Sequence, residues 1–108
     1  MAFPAIAASG RPLLLPGVGA FAHCRDALTG VEGLVDALEQ RVRRDGVPFL
    51  GICVGMQLLY DSSDEDPSHR GLGVFDRRIH LLEGDVKRPQ MQWNRLVLAP
   101  GAAEHPMF

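Results

Sequence analysis

The stretch Val47-Pro48-Phe49-Leu50-Gly51-Ile52-Cys53-Val54-Gly55-Met56-Gln57-Leu58-Leu59 decides how this chain folds. Its first part, Val47 to Ile52, is a short apolar run entered through Gly46 and Pro48, the pattern of a buried parallel strand bounded by turn residues. Its second part places Met56, Leu58, Leu59 and Tyr60 on an apolar face, which predicts a short helix ending at the polar cluster Asp61-Ser62-Ser63-Asp64-Glu65-Asp66-Pro67. Between the two lies Gly-x-Cys-x-Gly, the thiol form of a nucleophile elbow, in which a reactive side chain sits on a strained strand-to-helix turn and projects out of the sheet. Glycines two residues to either side of Cys53 remove the Cβ atoms that would crowd so tight a bend. A helix starting at Val54 would aim its free N–H groups at the sulfur and favour thiolate over thiol. On these residues alone the alternative is a structural cysteine buried at a strand end.

Outward from the elbow, Leu13-Leu14-Leu15 reads as a second apolar strand running into the glycine loop Pro16-Gly17-Val18-Gly19-Ala20-Phe21. Such a loop can turn backbone N–H groups toward an anion or form half of an oxyanion hole. It lacks the Lys-Ser/Thr ending of a phosphate-binding loop and the third glycine of a dinucleotide fingerprint. Between the loops, Thr29 and Glu32 are spaced as a capping box, and Leu34, Val35, Leu38 and Val42 mark one helical face up to Arg44. Strand, loop, helix, strand, elbow and helix predict a βαβ unit with a right-handed crossover and both loops at the carboxyl ends of parallel strands. Beyond Pro67 the pattern turns β-like, with Arg78 to Leu82 and Leu96 to Leu98 as strand candidates. The acidic run Asp61 to Asp66 reads as a solvated loop rather than a cation site, and Arg41, Arg43 and Arg44 as a solvated helix end. His23 and Cys24 are neighbours on a helix and point apart, so they form no catalytic pair.

Composition narrows the function classes. With 108 residues the chain is one domain or part of one, and 46% hydrophobic content suffices for a core. A net charge of −2 gives no reason to expect nucleic acid or a membrane surface as partner. No apolar stretch approaches transmembrane length, and the first ten residues carry no basic side chain to start a signal peptide. Two cysteines make neither a metal-ligand spacing nor a disulfide framework, which predicts a reducing, cytoplasmic setting and no metal.

Taken together, Pro16-Gly17-Val18-Gly19-Ala20-Phe21, Pro48 to Leu59, Gly71-Leu72-Gly73 and Pro89-Gln90-Met91-Gln92-Trp93-Asn94 resemble, in order and spacing, the class I glutamine amidotransferases. Within that class they are most similar to the glutaminase subunits of imidazole glycerol phosphate synthases, from about Leu13 to the C-terminus. The resemblance implies an α/β, flavodoxin-like domain with a mostly parallel sheet and a small β-rich segment after the elbow helix. It also implies L-glutamine as substrate, no cofactor, and a heterodimer with a cyclase (synthase) (β/α)8-barrel subunit that receives the ammonia for histidine biosynthesis. Cys53 matches the nucleophile that forms a thioester, and the backbone N–H groups of Val54 and Val18 match the oxyanion hole. Gly17, Gly19 and Gln57 match glutamine-binding positions, and Met91, Trp93 and Asn94 match a segment near the partner interface.

The chain departs from the family pattern in three places. Gln92 stands where the family usually has glycine, adding a Cβ and a polar side chain near the expected interface. None of the four histidines, His23, His69, His80 and His105, sits in the His-x-Glu context that completes the family's triad, so no catalytic histidine is assigned. Only twelve residues precede Leu13, where family members have a strand, a helix and a second strand, so Met1 to Pro12 reads as a frayed lead-in. The expectation is that 1–108 is an internal portion of one amidotransferase domain, inactive alone. Two other readings stay open: a different thiol hydrolase on a similar elbow, against which the glycine loop and Gln57 argue, and a non-catalytic glutamine-binding or docking remnant.

Overall fold

The computed structural model describes residues 10–107, so most of the expected lead-in, residues 1–9, lies outside the described residues. The Leu13 strand runs beyond its apolar core through Pro16, giving β1, Leu13–Gly17. It pairs in parallel with β2, Phe49–Cys53, in a register that sets Leu13 opposite Phe49 and Gly17 opposite Cys53. Pro16 offers no N–H to a ladder, and a strand paired on one side among the described residues accommodates it.

Two helices, rather than one, fill the crossover. The first, α1 (Phe21–Thr29), begins directly after the glycine loop and buries Phe21 completely. The second, α2 (Leu34–Glu39), continues into a five-residue π-helical turn, Gln40–Arg44. The expected capping box does not form. Thr29 closes α1 instead, donating its hydroxyl to the Arg25 carbonyl at 2.8 Å and accepting the Arg25 guanidinium at 2.9 Å. Glu32 is left without a hydroxyl to reciprocate, and α2 starts at Gly33 with φ 75° and no side-chain cap. The arginine cluster is solvated only in part: Arg43 and Arg44 are exposed, Arg43 donating to the carbonyls of Leu72, at 3.3 Å, and Gly73, whereas Arg41 is buried and paired with Asp45 at 3.1 Å. Hydrogen bonds from Gln40 first, then from Arg41, hold the Asp45 carboxyl below the usual carboxylate range.

The elbow helix α3 is a single turn, Val54–Gln57, and the chain then leaves helical geometry. The residues expected to end that helix form β3, Tyr60–Ser63, parallel to β4, Phe75–Ile79, with a bulge between Tyr60 and Ser62. The cause is competition for backbone acceptors. The Leu58 carbonyl takes the N–H of Leu72 at 2.7 Å and the Leu59 carbonyl that of Phe75 at 2.9 Å, so neither is free to extend the helix. The Tyr60 and Phe75 rings, 5.3 Å apart, add to the pairing. Strand β4 begins three residues before the predicted one, whereas Leu96 to Leu98 form no strand.

Phe21, Val54 and Leu58 make the core, with Leu15, Cys24 and Leu28 against them. This is the expected α/β class with parallel strands, arranged as two separate pairs. The core is small for the chain: accessible surface is 8341 Å², against about 5,900 Å² for a compact monomer of this mass. Leu14, Leu50 and Ile52 are exposed on the face of the β1–β2 pair turned away from the core.

Candidate active site

Cys53 ends β2 and stands immediately before α3, with φ 55° and ψ −120°. It is the one non-glycine residue with positive φ among the described residues, a conformation that costs about 1–3 kcal/mol and persists only where its surroundings dictate it. Here backbone contact dictates it. A Cβ on Gly55 would run into the Leu15 carbonyl oxygen, one on Gly51 would lie 2.6 Å from the Met56 nitrogen, and one on Gly17 would lie 2.6 Å from the Gly55 nitrogen. The single turn of α3 therefore lies with its main chain directly on β1 and β2. Val54 and Leu58 anchor it by entering the core beside Phe21. The chain cannot continue β2 straight; it must turn at Cys53, which leaves the thiol exposed.

The register that sets Gly17 opposite Cys53 brings the glycine loop to the same end of the strand pair as the thiol. Val18 is 87% exposed and Gly19 holds φ 97°, so the loop stands clear of the core. Cys24, half-buried on α1, donates its thiol to the Val18 carbonyl at 3.3 Å. The two cysteines thus differ in surroundings: one is packed beside the loop, the other presented at the elbow. Because α3 is one turn, any help to a thiolate comes from its few free N–H groups and not from a long helix dipole.

Gln57, at the far end of α3, lines a cleft of about 490 Å³ together with Ser63, Asp64, Glu65, Ile79, His80 and Leu81. Cys53 does not line it; the cleft meets the elbow through Gln57. Its polar wall comes from the acidic run, which is engaged rather than free. Asp64 accepts from His80 at 2.8 Å and from Arg78, and the His80 bond foremost holds its carboxyl below the usual range. Glu65 reaches back to the first residue of α1, accepting the Phe21 N–H at 3.4 Å. Sequence reasoning missed Asp64, Glu65 and His80 because the contacts that order them span 14 to 44 residues. Among the described residues no group of three or more His, Cys, Asp or Glu side chains could hold a metal ion.

Met91, Trp93 and Asn94 lie past β4 in a segment without regular structure. Met91 is 83% exposed and Trp93 fully so. Gln92 donates to Gln90 at 2.9 Å, along its own segment.

The sequence profile of the family described as glutamine amidotransferase class-I matches residues 8–101. The chain is 45% identical over 99 residues to a protein of Zymomonas mobilis named imidazole glycerol phosphate synthase subunit HisH, covering 89% of this chain and 46% of that one. Proteins of the same name from Brucella suis and Chlorobium luteolum are 40% and 42% identical. Those matches cover 94% and 97% of this chain against 47% and 55% of theirs. The chain spans about half the length of the curated relatives it matches.

Proposed function

The chain belongs to the class-I glutamine amidotransferase family, and from that premise we propose that it carries the glutaminase chemistry of an imidazole glycerol phosphate synthase. In this reading the Cys53 sulfur attacks the side-chain amide carbon of L-glutamine, and the C–N bond breaks as ammonia leaves with a proton. Water then cleaves the thioester to glutamate. The oxyanion is held by the N–H groups of Val54 and Val18, and each such donor is worth about 3 to 4 kcal/mol of transition-state stabilisation. Gly17, Gly19 and Gln57 bind the substrate, and the Glu65 carboxylate suits its ammonium group. A cytoplasmic cyclase subunit takes the ammonia, with Met91, Trp93 and Asn94 at the contact.

One observation carries the reading: Cys53 is forced to positive φ, with its thiol exposed, opposite the start of a glycine loop. We read residues 1–108 as an internal portion of one amidotransferase domain, with the triad's His and Glu supplied by sequence beyond it. Deleting a triad member typically costs about 10⁴- to 10⁶-fold in rate, so this chain alone should release ammonia only at trace rates. A glutamine-like chloroketone should alkylate Cys53 well before Cys24, and Cys53→Ala should abolish that labelling. Equal labelling of both thiols in folded protein would remove the elbow argument. Robust ammonia release by the isolated chain, with or without a synthase subunit, would overturn the reading of an incomplete triad.

A further inference from the structure

His69 lies between two carboxylates. Its Nε2 is 3.2 Å from Asp26 Oδ1 on α1, and its Nδ1 is 3.2 Å from Asp66 Oδ2 in its own loop, with the Ser68 hydroxyl 3.1 Å from the same nitrogen. The ring is about two-thirds shielded from solvent. Neighbouring cations have other partners: Arg25 donates to the Arg70 carbonyl at 2.8 Å and to Thr29, while Arg70 pairs with Asp61. A neutral imidazole has one N–H and would turn a lone pair toward one of the two carboxylates, whereas the imidazolium donates to both. With the Ser68 hydroxyl beside Nδ1, a neutral ring keeps one carboxylate contact, and a charged ring holds both.

The latch matters because of what it joins. Asp26 belongs to the helix that starts directly after the Gly17–Gly19 loop, and Asp66 follows Asp64 and Glu65 in the cleft wall. Glu65 in turn receives the first N–H of α1. We propose that His69 is a positioning residue that, as an imidazolium, ties the 64–70 loop to α1 and so sets the affinity of the cleft for its amino-acid ligand, the tie loosening as pH rises. This rests on the glutaminase reading of the cleft. His69 touches no reacting atom; it acts through Asp66 and the loop.

The sign follows from the donors. A protonated ring carries an N–H on each nitrogen and a positive charge facing both carboxylates, so the tie is stronger with the proton than without it. Hydrogen bonds from Ser68, first, and His69 keep the Asp66 carboxyl below the usual range, so that partner stays anionic across mildly acidic pH.

The test uses the whole chain with two readouts, each between about pH 5 and 8, the range in which histidine side chains in general change charge. The first is amide exchange protection of residues 64–70. The second is the chloroketone concentration that half-saturates Cys53 labelling; a concentration is read, not a rate, because the thiol's own ionisation speeds labelling at every concentration. In the wild type, protection should fall and half-saturation should rise about two- to fivefold as pH increases, the range for partly exposed ion pairs. H69Q should flatten both profiles at their high-pH values, and H69K, cationic throughout, should hold both at their low-pH values. Protection independent of pH, an H69Q profile matching the wild type, or protection that falls while half-saturation stays constant would each overturn the proposal. If labelling never saturates, the glutaminase reading of the cleft fails, while the exchange profile still decides whether the latch exists.

Discussion

Two halves of this molecule hold their apolar residues in opposite ways. Around the elbow, Phe21, Val54 and Leu58 are buried, and three glycines are dictated by main-chain contact. Past β4, Met91, Trp93, Leu96 and Val97 are all at least three-quarters exposed on a segment without regular structure. The first half is specified by contacts within itself. The second carries a pattern whose reason is not found among the described residues. Sequence similarity therefore means different things in the two halves: steric necessity in one, and a surface in the other.

The contrast can be broken most sharply at Gly55. Gly55→Ala should cost more than about 4 kcal/mol, the exceptional range reserved for a backbone collision or an equivalent defect, because the added Cβ meets the Leu15 carbonyl. Loss of the cooperative urea transition would record it, and a variant melting like the wild type would show that α3 does not rest on β1. Next in size, Phe21→Ala removes the largest fully buried side chain and should cost about 3 to 5 kcal/mol by denaturant titration.

Acid gives a smaller effect. Asp64 is held below its ordinary range by His80 and Arg78, so its contribution is present above the unfolded carboxylate value of about 3.9 and is lost as pH falls through the lower folded value. Wild type should lose β3–β4 amide protection in that acidic window more than Asp64→Asn does. The smallest effect should come from Trp93→Ala, which ought to change stability by less than about 0.5 kcal/mol yet weaken capture of a synthase subunit in a pull-down. A large loss of stability in that variant would mean that the tail packs in solution and that the two halves are not so different.

The parts legible in the sequence were those whose causes are local. Gly51, Cys53 and Gly55 lie within five residues of one another, and both strands of the β1–β2 pair are short apolar runs next to glycine or proline. What could not be read depends on distant partners. Met56 to Tyr60 keep helical spacing, and only the arrival of Leu72 and Phe75 at the Leu58 and Leu59 carbonyls turns the chain into β3. Thr29 and Glu32 have the right separation for a box, but α1 is a second helix and claims the threonine for its own end. Arg41 looks like any charged residue of a helix end until the fold buries it beside Asp45. Leu96 to Leu98 have strand composition but no ladder partner among the described residues.

The pairing of Gly17 with Cys53 works as a ruler. The position of the glycine loop relative to the thiol is fixed by counting residues along two strands, and each residue is worth about 3.3 Å of travel. A single insertion or deletion inside β1 or β2 would slide the loop past the sulfur by that distance, and it would also turn every later side chain of that strand to the opposite face. The turn from Gly30 to Gly33, which only joins α1 to α2, is under no such count. Over evolutionary time, changes of length in this family should collect in that turn and be purged from the two strands. A library of one-residue insertions scanned along the chain should show the same boundary in the laboratory.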